Sequence, residues 1–206
     1  MLQITQEQYE NIVFLTRCVY YDLPYPTMLG YQQSASLLTG LRINVFDTPS
    51  HTFVVICGTN QVRDWITNLK AGLGIIPRQY QQALSFILNI YKDMDKEKPL
   101  IIAGHSLGAM IANYCASFMS DTDVICIGFN GAPVGHLCGN KNSNNIVNII
   151  AKNDLLNCVC KLFPVNTYMK HIGQVHIVND NYKINKIKAH CDLNTFMKFS
   201  IYDIYE

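Results

Sequence analysis

The chain has 206 residues, of which 49% are hydrophobic and 15% charged, and its net charge is +1. That balance supports a sizeable core and excludes a disordered chain. With no basic stripe along it, a dedicated nucleic-acid binder is excluded as well.

Residues 5–20 carry Ile12, Leu15, Cys18 and Val19 on one helical face, which predicts a first helix. A loop containing Pro24, Pro26 and Gly30 follows. Leu41–Phe46 and Thr52–Cys57 read as a β-hairpin joined by DTPSH. Residues 61–77 show no clear period, and residues 78–94 return to helical spacing. Beyond them the pattern predicts a strand at 99–103, a helix at 107–119 and a strand at 123–129. A Gly/Pro loop (NGAPVG) leads to strands at 145–151 and 172–178. A last short strand is expected near Tyr182–Ile187, and a closing helix over 192–204. Strands alternating with helices predict an α/β fold, and the hairpin makes its sheet mixed. No repeat or linker divides residues 1–206, so one domain is expected.

The N-terminal MLQITQEQYENIVFL has no basic segment leading into an apolar run, so it is not read as a signal peptide. No stretch approaches the roughly 18 apolar residues of a membrane span. The expectation is a protein that is cytoplasmic or exported without a conventional signal peptide, and not integral to a membrane. The eight cysteines lie largely within apolar patterns, where a free thiol acts as a small hydrophobe. Cys158-x-Cys160 matches neither zinc nor redox spacing, so a reducing environment is expected.

The segment LIIAGHSLGA carries the chemistry. An apolar strand runs into Gly104-His105-Ser106-Leu107-Gly108 and then into a helix of small residues. A serine at a sharp strand-to-helix turn exposes its hydroxyl, and the helix N-terminus behind it favours developing negative charge. The competing local reading is a serine that merely caps the helix.

A nucleophilic serine needs a base, and the base needs an orienting acid. With this type of turn the chain order is Ser, then Asp or Glu, then His. Asp154 follows the apolar strand of NIVNIIAKND, on the sheet edge where Ser106 sits. Asp180 is the reserve, and an Asx-turn is the local alternative for Asp154. His190 lies beyond Asp154, before the terminal helix, and is the best base, with a surface or helix-capping histidine as its local alternative. His105 adjoins the serine, so its side chain diverges from it, and it reads as a packing residue. Leu107 offers a backbone N–H to an oxyanion. The loop after FVVIC, Gly58-Thr59-Asn60, offers a second donor at Thr59.

Taken in order, these segments resemble the fungal-type (class 3) lipase family of α/β-hydrolases. FVVICGTNQVRDWITNL resembles the family's strand, its Gly-Thr turn, and the Asp-Trp and Asn-Leu pairs after it. AGHSLGAMIA resembles its nucleophile turn, GFNGAPVG its Gly/Pro loop, and AKNDLL and KAHCDL its Asp and His segments. The strand between those two segments is similar to YMKHIGQVHIV. Cys57 departs from the family's usual Arg, and Asn130 and the adjacent Pro133-Val134 depart from its loop pattern.

The resemblance implies an α/β-hydrolase fold, with a mixed, mostly parallel central sheet and helices on both faces. It implies a Ser106–Asp154–His190 triad, an oxyanion hole at Thr59 and Leu107, and no cofactor or metal. It further implies hydrolysis of carboxylic esters, most often lipid esters, by lipase or phospholipase chemistry. Residues 60–76 occupy the family's lid position, where Trp65, the only tryptophan, stands with Ile66 and Leu69. An apolar flap of this kind suits transient contact with a membrane or lipid interface. The alternatives are a short-chain carboxylesterase acting on non-lipid esters and a catalytically silent, hydrolase-like binding module.

Overall fold

Helix α1 (Gln6–Tyr21) begins where Thr5 and Gln8 cap each other: the Thr5 hydroxyl accepts from Gln8 N–H, and the Gln8 side chain accepts from Thr5 N–H. It ends at Asp22, whose φ of 57° is left-handed. The computed structural model describes residues 4–25, 31–36, 41–57, 76–119, 123–139, 143–161, 169–182 and 184–200. Among them are seven strands: β1 (Tyr31–Ser36), β2 (Arg42–Asp47), β3 (Thr52–Cys57), β4 (Leu100–His105), β5 (Val124–Phe129), β6 (Ile146–Ala151) and β7 (Gln174–Val178). They form one sheet in chain order. β1, β2 and β3 pair antiparallel, and β3 through β7 pair parallel. The mixed, mostly parallel sheet of the α/β-hydrolase fold is therefore present.

Every residue of β3, β4, β5 and β6 is buried. This explains why they read as continuous apolar runs rather than as alternating ones: both faces of the sheet are covered. On one face Val54, Ile56, Ile102 and Cys126 pack under α2 (Arg78–Asp93) and α3 (Leu107–Ser117). On the other, Phe53, Val55, Ile101 and Ile127 pack against Tyr9, Ile12 and Leu15 of α1. Each such aliphatic side chain contributes about 1.5–3 kcal/mol when buried. Truncating a central one, as in Ile102→Ala, costs about 2–5 kcal/mol because the surrounding layers relax only partly.

Three short α-helices, α4 (Leu155–Cys160), α5 (Lys186–Cys191) and α6 (Asn194–Met197), and two 3₁₀ turns, Gly135–Leu137 and Ser143–Asn145, complete the described residues. Two expectations are corrected here. The strand expected near Tyr182–Ile187 is not found among its described residues, where Asp180–Tyr182 turns and α5 begins at Lys186. Asp180 accepts from Tyr182 N–H, and Asn185 accepts from Lys188 N–H to start the helix. The closing helix is also shorter than expected, covering only Asn194–Met197 among the described residues. β1, whose sequence YQQSAS has no apolar alternation, forms by backbone pairing to β2. The eight cysteines are free thiols. Among the described residues no helix is long and apolar enough to cross a membrane.

Candidate active site

The carboxyl ends of β4, β5, β6 and β7 lie on one sheet edge, where parallel α/β sheets gather their ligands. Ser106 sits between β4 and α3, with φ 56° and ψ −123°. For a residue with a Cβ this conformation costs about 1–3 kcal/mol, a strain found mostly at functional positions. The serine makes no side-chain cap bond to α3, so the helix-capping reading does not hold. Its N–H donates to Phe129 O at 2.9 Å, which ties the turn to β5. The turn also depends on Gly104. A Cβ there would stand 2.4 Å from Gly108 C and 2.5 Å from Gly108 O.

His190 belongs to the last turn of α5 and is 8% exposed. Its Nε2 lies 2.9 Å from Ser106 Oγ, and its Nδ1 lies 2.6 Å from Asp154 Oδ2. An ionised carboxylate only accepts, so Asp154 holds the proton on Nδ1 and leaves Nε2 free to accept from the serine hydroxyl. Asp154 is fully buried and caps α4 at the same time: its Oδ1 accepts from Asn157 N–H at 2.7 Å. The structure thus brings Ser106, His190 and Asp154 together. The reserve, Asp180, is occupied elsewhere, accepting from Asn153 N–H, the Asn153 amide and Tyr182 N–H.

Leu107 is the first residue of α3, where a helix leaves its N–H without an intrahelical partner. Thr59, Trp65, Ile66 and Leu69 lie outside the described residues.

Two side chains that sequence reasoning did not assign to the site hold His190 from behind. Asn130, fully buried at the end of β5 with φ 49°, donates from Nδ2 to His190 O at 3.0 Å and to Ala189 O at 3.2 Å. Its Oδ1 accepts from Ala151 N–H at 2.8 Å, at the end of the strand that leads to Asp154. One amide therefore ties the strand that leads to Asp154 to the helix that carries His190. His105 is also more than a packing residue. Its Nε2 donates to His190 O at 2.7 Å, and its ring lies 5.0 Å from that of His190 and 4.6 Å, edge-on, from that of Tyr20. Burial, with His190 close by, pushes the His105 pKa down to about 3, so this second imidazole stays neutral beside the base. The only sequence signal for Asn130 was an asparagine at a strand end before a glycine, a residue type that tolerates left-handed backbone.

Comparisons with known proteins bear on the family and the fold. The model of the phospholipase-like family, described as a Tle-like phospholipase domain, matches residues 26–134. That stretch contains the Ser106 turn and stops before Asp154. The extracellular phospholipase A1 of Serratia liquefaciens is 29% identical over 96 residues, which are 47% of this chain and 28% of that protein. The chain thus matches less than a third of that relative's length. The Lip2 lipase of Yarrowia lipolytica superposes with a TM-score of 0.53 at 14% identity, over 86% of this chain and 80% of that one. This likeness shows the α/β-hydrolase fold. Since the matched family model spans more than half of the 206 residues, the chain belongs to the phospholipase-like family, by its Tle-like phospholipase domain.

Proposed function

We propose that this chain is a serine hydrolase of lipid carboxylic esters, acting on phospholipids through a Ser106–His190–Asp154 triad. The observation that carries the reading is the unbroken hydrogen-bonded line from Ser106 Oγ through His190 to Asp154, at 2.9 and 2.6 Å. In this mechanism His190 Nε2 takes the hydroxyl proton as Ser106 Oγ attacks the ester carbonyl carbon. The oxyanion is held by Leu107 N–H and by Thr59. Asp154 stabilises the imidazolium, which then protonates the leaving alcohol. Water, activated by the same histidine, releases the fatty acid and restores the serine.

Phospholipids are preferred over acylglycerols because both the family model and the Serratia relative are phospholipases by name. Within the wider α/β-hydrolases, the order of motifs favours kinship with the fungal-type class 3 lipases. The reading takes residues 1–206 as one hydrolase domain and assigns Trp65, Ile66 and Leu69 to an apolar lid over the serine.

The test is a substrate panel of phospholipid, triacylglycerol and short soluble esters, run on wild type and Ser106→Ala, with labelling by a fluorophosphonate probe. The expected result is Ser106-dependent labelling and fatty-acid release from phospholipid. Labelling without lipid cleavage assigns a soluble-ester hydrolase instead. Absence of labelling refutes the triad and leaves a binding module.

A further inference from the structure

The turn that delivers the base to the site is built differently from the rest of this sheet edge. Ile184 is 95% exposed and Ile187 is 53% exposed, the two largest exposures among the described large apolar side chains. Between and beside them, Lys186 and Lys188 are exposed, and Lys152, after β6, is exposed on the same edge. Immediately after this run Ala189 and His190 are buried. An apolar pair bearing cations therefore leads straight into the base.

Two carboxylates lie nearby, both occupied by hydrogen bonds, and Asp180 also interacts electrostatically with Lys152. Asp180 accepts from Asn153 and Tyr182 N–H, and Asp192 accepts from the Tyr182 hydroxyl and from Asn194. No ion pair joins a described carboxylate to Lys186 or Lys188. Exposed isoleucines are stabilised by an apolar phase, and unpaired lysines beside them by anionic headgroups. Together they have the composition of an interfacial anchor for negatively charged bilayers.

We propose that the turn from Ile184 to Lys188 docks the protein on anionic phospholipid surfaces. Ile184 and Ile187 enter the headgroup–acyl boundary while Lys186 and Lys188 face the phosphates. Docking through the segment that carries His190 turns the Ser106 edge of the sheet toward the lipid. This inference rests on the lipid-ester reading of the site, but the binding is measured without turnover.

The experiment uses the full chain carrying Ser106→Ala. Co-sedimentation is measured with phosphatidylcholine vesicles, with and without about 30% phosphatidylglycerol to supply an anionic surface. The expected result is binding to the phosphatidylglycerol vesicles that weakens as salt screens the lysines. Lys186→Gln with Lys188→Gln should weaken it roughly fivefold per lysine, about 25-fold for the pair. Ile184→Ser with Ile187→Ser should weaken it at least about tenfold. All four side chains are exposed, so thermal unfolding should match that of the parent and separate lost binding from lost fold.

Equal binding to both vesicle types, or unchanged binding by both double variants, overturns the proposal. So does concentration-dependent self-association that the Ile184/Ile187 variant abolishes, because the face then belongs to a second copy. Failed vesicle binding alongside intact fluorophosphonate labelling of the wild type overturns the docking surface alone. Intact binding without labelling overturns the hydrolase reading alone.

Discussion

Asn130 offers the sharpest perturbation of the site that leaves Ser106, His190 and Asp154 in place. In Asn130→Ala the buried Ala151 N–H loses its acceptor at 2.8 Å, and Ala189 O loses its donor at 3.2 Å. His190 O keeps one donor, His105 Nε2 at 2.7 Å. A buried N–H left without a partner costs about 1–3 kcal/mol. Alanine at the left-handed backbone of residue 130 adds about 1–2 kcal/mol. The sum is about 2–5 kcal/mol of stability, which thermal or urea unfolding measures directly. Asn130→Gly loses the same hydrogen bonds but relaxes the backbone, so it should be about 1 kcal/mol less destabilised than the alanine variant.

The catalytic effect should not follow that difference. Both variants free the carboxyl end of α5, and a shift of about 1 Å in His190 is enough to lower turnover roughly 100-fold. The assay is kcat and KM on a soluble p-nitrophenyl ester, well below the unfolding temperature of the weaker variant. The expectation is a fall in kcat shared by both variants, with KM little changed. If either variant unfolds earlier but keeps kcat within about threefold of wild type, Asn130 is structural and the positioning argument fails.

Three further outcomes follow from the same geometry. Asp154→Asn keeps an oxygen for Asn157 N–H but presents an amide to His190 Nδ1, forcing the wrong tautomer; kcat should fall about 10⁴-fold with little change in Tm. A melting temperature lowered as much as in a core truncation would point instead to a capping role. Gly104→Ala should cost about 3 kcal/mol, the upper end for overpacking, because its Cβ would meet Gly108 backbone at 2.4 Å; a wild-type urea midpoint would contradict the close approach. His105 is neutral when folded because burial holds its pKa at about 3, whereas unfolded it titrates near 6.5. Its contribution is therefore complete above about pH 6.5 and is lost as pH falls toward 3, by about 1.4 kcal/mol at pH 5.5. His105→Gln should flatten that part of the stability profile, and an unchanged slope between pH 6.5 and 4.5 would count against a buried neutral His105.

The parts of the fold legible in the sequence are those whose cause is local or periodic. β4, β5 and β6 are mainly apolar runs because helices cover both faces, and α1 shows itself through the helical spacing of Ile12, Leu15, Cys18 and Val19. β1 was illegible because YQQSAS is a strand only through pairing with β2. The turn at Asp180–Tyr182 and the Asn185 cap override the apolar spacing of Tyr182–Ile187, so a helix starts where a strand was expected. Asn130 escaped for a different reason. Its partners are 21 and 60 residues away, and nothing in its own neighbourhood records them.

Asp154 and Ser106 each had a plain local reading beside the chemical one, and the two cases resolve differently for a physical reason. A carboxylate has two oxygens that accept independently. Asp154 can therefore cap α4 with Oδ1 and face His190 with Oδ2, and each contact fixes the geometry of the other. A serine has one oxygen. To cap α3 it would need extended backbone, aiming Oγ along the helix at the N–H groups of the first turn. At φ 56° and ψ −123° Oγ lies within hydrogen-bond reach of His190 Nε2 instead. Strain at residue 106 is thus what makes capping and attack mutually exclusive, and Gly104 is what permits the strain by letting α3 approach the strand.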